Sequence, residues 1–209
     1  MLQYITNTDA PISVVDQINA VLDGGCRWIQ IRMKEATDDE IAEVVEKIKP
    51  RCIEVESFLL LDDRVELAKK LDVGGVHLGK EDMRPSQARA ILGGAAIIGI
   101  TANTLVDIRA VKSLDIDYIG VGPYASTTTK KNLAPIFGLE GIRAISRGML
   151  EEDIMIPHVA IGGIRLEDVA PLMEAGVSGL AVSGAIAFAK DPVQATRDFI
   201  AALEPFRKN

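Results

Sequence analysis

A chain of 209 residues, 48% of them apolar, can bury one large core without disulfides or a structural metal, so a single domain over residues 1–209 is expected. The formal charge of −7 argues against general affinity for nucleic acid, so an anionic ligand must meet a local basic cluster. Cys26 and Cys52 form neither a disulfide framework nor a Cys/His zinc spacing, and there is no leader-like start or bilayer-spanning apolar run, which fits a reducing cytoplasm.

Eight short β-rich runs follow one another: Gln3 to Thr6, Arg27 to Arg32, Phe58 to Asp62, Gly75 to Leu78, Ala96 to Ile100, Tyr118 to Val121, His158 to Ile161 and Gly179 to Val182. Stretches able to form crossovers separate them, with clear helical periodicity in Thr37 to Lys49 and Leu166 to Ala175. Alternating strand and helix implies a parallel sheet, and eight units in so short a chain favour a (β/α)8 TIM barrel over an open sheet. Asp23 to Cys26, Leu71 to Val76 and Glu174 to Leu180 read as αβ turns in which a glycine takes a left-handed helix cap.

Barrel chemistry sits at the C-terminal strand ends. In the second strand the two-residue period sends Gln30, Arg32 and Lys34 one way and the isoleucines the other. An amide and a guanidinium facing a barrel interior need a partner, either a ligand or a structural carboxylate. The third and fourth strands end in Asp62-Asp63 and in His77-Leu78-Gly79-Lys80-Glu81-Asp82. Carboxylates there can hold Mg2+ together with ligand phosphate, or cap the next helix. His77 shares the alternation of Gly75 and Gly79, which suits a core histidine or a substrate contact equally.

Thr101 to Thr104, after the fifth strand, can line the mouth or cap a helix. The segment Gly120 to Lys131 ends a buried strand in hydroxyls and paired lysines, including Thr127, Thr129 and Lys130, and suits a phosphate-rich ligand. Gly162-Gly163 and Ser183-Gly184 are small enough for backbone amides to approach a phosphate, or for tight-turn packing alone.

Together these segments resemble the thiamin phosphate synthase family over essentially the whole chain. Its Gln-x-Arg-x-Lys strand stands as Gln30 to Lys34, and its Asn-Asp-Arg turn as Asp62-Asp63-Arg64. Its His-Leu-Gly-Gln-x-Asp turn stands as His77 to Asp82, and its Gly-Ile-Ser turn as Gly99-Ile100-Thr101. The Thr-x-Thr-Lys loop falls within Gly122 to Lys130, and the Ala-x-Gly-Gly-Ile turn is Ala160 to Ile164.

The resemblance implies a transferase that joins a hydroxymethylpyrimidine group, from its pyrophosphate ester, to thiazole phosphate. Asp63 and Asp82 would bind Mg2+. Arg32, Lys34 and Lys130 would neutralise the leaving pyrophosphate, and Gln30 would orient the pyrimidine and pyrophosphate. Asp62, His77 and Thr101 fall in the same substrate site, while Thr127, Thr129, Gly162, Gly163, Ser183 and Gly184 would hold the thiazole and its phosphate. The loop over residues 126–132 is expected to close over the ligands. The partners implied are these small molecules, with no nucleic acid and no membrane, and a homo-oligomer is left open. Three positions depart from the family pattern: Asp62 for Asn, Thr101 for Ser, and Ser183-Gly184 where the family often has Val-Ser-Ala. The rivals are a thiazole tautomerase of the same fold and a non-catalytic binder of thiazole or thiamin phosphate.

Overall fold

The computed structural model describes residues 1–126 and 135–207. Eight parallel strands close into a barrel in sequence order: β1 (Leu2–Ile5), β2 (Trp28–Ile31), β3 (Phe58–Asp62), β4 (Gly75–Leu78), β5 (Ile97–Ala102), β6 (Tyr118–Val121), β7 (His158–Ile161) and β8 (Gly179–Val182). The strands lie within two residues of the sequence expectation. The intervening helices are α1 (Val14–Asp23), α2 (Asp38–Glu54), α3 (Val65–Leu71), α4 (Pro85–Leu92), α5 (Leu105–Val111), α6 (Gly138–Glu151) and α7 (Val169–Glu174); α8 (Gly184–Ala187) and α9 (Pro192–Leu203) follow β8.

Local chemistry starts several helices. Ser13 accepts from the Asp16 N–H ahead of α1, and Thr37 with Glu40 forms a reciprocal capping box ahead of α2. The two-residue strand period then divides the barrel wall. Tyr4, Ile29, Ile31, Leu61, Val76, Ile98, Ile119 and Val182 pack outward under the helices. Ile5, Leu60, Tyr118, Val159 and Ala181 form a separate inner cluster, with Trp28, Ile97 and Ile161 against it. Polar side chains above this inner cluster face the C-terminal end, where the loops form a mouth.

One expected turn is built differently. Gly25 and Gly176 take the left-handed conformation after α1 and α7, with φ 97° and 102°. After α3 the left-handed residue is instead Asp72, φ 49° and ψ 56°, and Gly74 does not need it. A short polar residue tolerates that region, and Lys49 Nζ stands 3.3 Å from the Asp72 carboxylate.

The second histidine, His158, lies on the outer side of β7, where its Nε2 is 2.8 Å from Ser146 Oγ on α6. Burial pushes its pKa below the ordinary histidine value, opposed by a backbone hydrogen bond at Ile156, so it remains a neutral structural contact between helix and barrel.

Candidate active site

The mouth is built from the strand ends that the two-residue period points inward. At the end of β2, the Thr6 hydroxyl accepts from the Arg32 N–H at 2.8 Å and donates to the Arg32 carbonyl at 3.3 Å. That double contact extends the β1–β2 pairing past its last rung and aims Arg32 at the mouth. Gln30 lies just below and is buried, donating to Asp62 Oδ1 at 2.7 Å. Arg32 Nε is 3.8 Å from Asp62 Oδ2. The carboxylate partner foreseen for an inward-facing guanidinium is therefore Asp62, although the separation leaves the ion pair loose.

Asp63 occupies the left-handed region at φ 69°, and its N–H donates to the His77 carbonyl at 2.8 Å. As at Asp72, a short polar residue tolerates this region, and here it turns the chain sharply at the strand end. Asp82 folds back so that its Oδ2 accepts from the Gly79 N–H at 2.6 Å. Neither carboxylate caps a helix: the N-cap residues of α3 and α4 are Arg64 and Arg84, and neither has a capping side-chain bond. The capping alternative is thus removed for both. Burial and then the Asp82 charge raise the Asp63 pKa, partly offset by Arg64 and Lys34. Asp63 is thus a carboxylate that burial and its acidic neighbour both disfavour, which is the kind of position a divalent cation would relieve. No group of three or more His, Cys, Asp or Glu that could hold a metal is found among the described residues.

His77 faces the lumen and is buried, with Nε2 3.0 Å from Thr101 Oγ1 and Nδ1 2.9 Å from the Tyr118 hydroxyl. Thr101 therefore belongs to the mouth, whereas Thr104 caps α5 by accepting from the Asp107 N–H. Lys34 is exposed at the rim, and its charge acts on both Asp62 and Asp63. Glu81 is exposed, as a solvated loop charge should be.

Across the mouth, Gly162 and Gly163 adopt φ 102° and 65°. A Cβ on Gly163 would stand 2.5 Å from the Ser126 carbonyl oxygen, and one on Gly162 would stand 2.9 Å from Pro123. These glycines serve tight packing of the β6–α6 loop against the turn. Ala125 N–H donates to the Gly162 carbonyl at 2.9 Å, and the Tyr124 hydroxyl donates to Asp168 at 2.8 Å, so the start of the loop is pinned. Thr127, Thr129 and Lys130 lie outside the described residues, as does nearly all of the 126–132 segment expected to close. The Ser183 hydroxyl, next to Gly184 after β8, is a buried side-chain oxygen with no hydrogen-bond partner among the described residues.

Residues 2–186 match the profile of the family described as thiamine monophosphate synthase. The chain belongs to that family. It is 52% identical over 196 residues to the thiamine-phosphate synthase of Bacteroides fragilis, covering 94% of this chain and 96% of that one. It is 42% identical to the enzyme of the same name from Flavobacterium psychrophilum, over 92% and 94% of the two chains. The fold matches the thiamine phosphate pyrophosphorylase of Pyrococcus furiosus with a TM-score of 0.86 at 31% identity, covering 99% and 96%. Membership in this family makes the chain a transferase of thiamine biosynthesis. No helix among the described residues is long and apolar enough to cross a membrane.

Asp62 is the departure with the clearest physical consequence. Burial raises its pKa most, and the Asp82 charge adds to this, against the lowering effects of Arg32, Lys34 and the Gln30 hydrogen bond. A carboxyl whose folded pKa lies above its unfolded value destabilises the fold above the folded pKa. That cost fades as pH falls through the folded pKa toward the ordinary value of 3.8. Without metal at neutral pH, Asp62→Asn should therefore raise Tm by a few degrees, since about 1 kcal/mol moves Tm about 2–4 °C at this size. The gain should shrink on acidification. Thermal melts of both proteins at several pH values check this, and a lower Tm for the Asn variant at neutral pH would refute it.

Proposed function

We propose that the protein transfers the hydroxymethylpyrimidine group of its pyrophosphate ester to the nitrogen of thiazole phosphate, giving thiamin phosphate and pyrophosphate, with Mg2+ as the required cation. The observation that carries this reading is the convergence of Arg32, Lys34, Asp63 and Asp82 on one barrel mouth. Cations at that place suit a pyrophosphate, and carboxylates beside them make sense only if a metal joins the two. A simple binder of anions would gain nothing from Asp63 and Asp82.

In this reading Asp63 and Asp82 hold Mg2+, which when bound would screen charge on the pyrophosphate oxygens. Arg32 and Lys34, with Lys130, neutralise the same charge as the bond from the pyrimidine methylene carbon to the ester oxygen breaks. The bonding pair leaves with pyrophosphate. The thiazole nitrogen then donates its lone pair to the methylene carbon, and the new C–N bond completes thiamin phosphate. No protein nucleophile is required. Gln30, Asp62, His77 and Thr101 shape the pyrimidine side of the site. Gly162, Gly163, Ser183 and Gly184, with Thr127 and Thr129, serve the thiazole phosphate.

The test is pyrophosphate release from the two substrates with and without Mg2+, alongside mass detection of thiamin phosphate. Mg2+-dependent release with an equal yield of thiamin phosphate is expected. Binding of thiazole phosphate without any release would move the assignment to the tautomerase or the binder.

A further inference from the structure

Below the pyrimidine side of the mouth runs a chain of hydrogen bonds in which Tyr118 is the central member. Gln30 donates its amide N–H to Asp62 Oδ1 at 2.7 Å, so its carbonyl faces Gln3, whose amide stands 3.3 Å away. The same Gln3 nitrogen donates to the Tyr118 hydroxyl at 2.9 Å. Having accepted from Gln3, the Tyr118 hydroxyl has its proton to give to His77 Nδ1 at 2.9 Å. An imidazole that accepts at Nδ1 carries its proton on Nε2, and that N–H meets Thr101 Oγ1 at 3.0 Å. Each bond therefore fixes the sense of the next, from Asp62 at one end to the Thr101 hydroxyl at the other.

We propose that Tyr118 is a positioning residue for the pyrimidine ester. Its hydroxyl holds Gln3, and through it Gln30, on one side, and on the other holds His77 as the Nε2–H tautomer, which leaves the Thr101 proton for the ligand. The role rests on the transferase reading above, because it presumes that Gln30 and Thr101 face the ester. The surroundings support a fixed hub. Tyr118 is buried, and burial pushes its phenol far above the ordinary range, so it keeps the proton it must donate. Its ring packs edge-on against Trp28 with centroids 4.7 Å apart. A Cβ on Gly99 would fall 2.1 Å from that ring, so the glycine of the Gly-Ile-Thr turn is what admits it.

The experiment pairs tautomer spectroscopy with kinetics on Tyr118→Phe, which keeps the ring and removes the hydroxyl. The chain has two histidines, so nitrogen NMR of protein carrying labelled histidine shows two rings, and His158→Gln identifies which is which. In the unliganded wild type the His77 ring should show a bare Nδ1 and a protonated Nε2. In Tyr118→Phe the two nitrogens should move toward an averaged state. The KM for the pyrimidine ester should rise about tenfold, the worth of one good hydrogen bond, with the KM for thiazole phosphate within about twofold of wild type. Gln3→Met, which removes the donor to both Gln30 and the Tyr118 hydroxyl but keeps that hydroxyl beside His77, should raise the pyrimidine KM while shifting the His77 nitrogens less than Tyr118→Phe does. A protonated Nδ1 in the wild type, an unchanged pyrimidine KM in Tyr118→Phe, or equal losses for both substrates would overturn the proposal. Absence of turnover by the wild type would instead sink the transferase reading, on which the nitrogen spectrum does not depend.

Discussion

Asp63→Asn should lower pyrophosphate release by roughly a hundredfold to ten-thousandfold at saturating substrates, and raise the Mg2+ concentration for half-maximal rate by more than about tenfold. Asparagine is the informative replacement because of the backbone. Asp63 sits at φ 69°, where alanine adds a conformational cost of roughly 1–2 kcal/mol and asparagine is tolerated. Asp63→Ala would therefore mix loss of a ligand with a shift of the whole β3 end, whose N–H bond to His77 ties it to the next strand. With asparagine the turn stays, the negative charge goes, and the oxygen that remains is a weak Mg2+ ligand. The metal-free variant should melt no lower than wild type at neutral pH, since the charge it removes is one that burial and Asp82 already disfavour. Rate against Mg2+ concentration, measured beside thermal melts, separates the two effects. A variant with the wild-type Mg2+ dependence would remove Asp63 from the metal site.

Much of the molecule was legible from periodicity and punctuation. The eight strands fall where short β-rich runs alternate with helical stretches, and the lumen-facing set in β2 follows from a period of two. The placement of His77 inside the barrel follows from the same alternation. What periodicity cannot convey is pairing across the barrel. Tyr118 opens an apolar run and looks like any core aromatic, yet its hydroxyl bonds to Gln3 and His77, residues 115 and 41 positions away. Likewise Thr6 reads as the end of a strand, and only closure of β1 on β2 shows that it holds Arg32. The roles of Asp62 and Asp63 were ambiguous for a related reason. Capping and ligand binding use the same carboxylate, and the backbone conformation of Asp63, invisible in sequence, excludes capping. The left-handed Asp72 escaped because a nearby Gly-Gly pair offered a cheaper residue for the same turn.

Arg32→Gln should reduce kcat/KM for the pyrimidine ester roughly a hundredfold or more, and the loss should be partly recovered in the double variant Arg32→Gln/Asp62→Asn. The first part follows from charge: the Arg32 side chain retains 19% of its accessible surface, so the guanidinium is largely dehydrated where, in the proposed reaction, pyrophosphate would leave. Arg32→Lys should restore only a fraction, because a point charge cannot bridge Asp62 and two phosphate oxygens with a fixed fork. The second part follows from what the single variant leaves behind. Asp62 is 14% exposed, and without Arg32 its carboxylate keeps the Gln30 hydrogen bond and the Lys34 charge while, in the proposed reaction, it would stand beside an incoming anion. Removing that carboxylate as well takes away the repulsion that the arginine had masked, so the two substitutions should be less harmful together than their separate costs imply. Steady-state kinetics on the four members of this cycle give the coupling directly. Strict additivity would mean that Arg32 meets the pyrophosphate independently of Asp62 and that the loose pair at 3.8 Å has no share in catalysis.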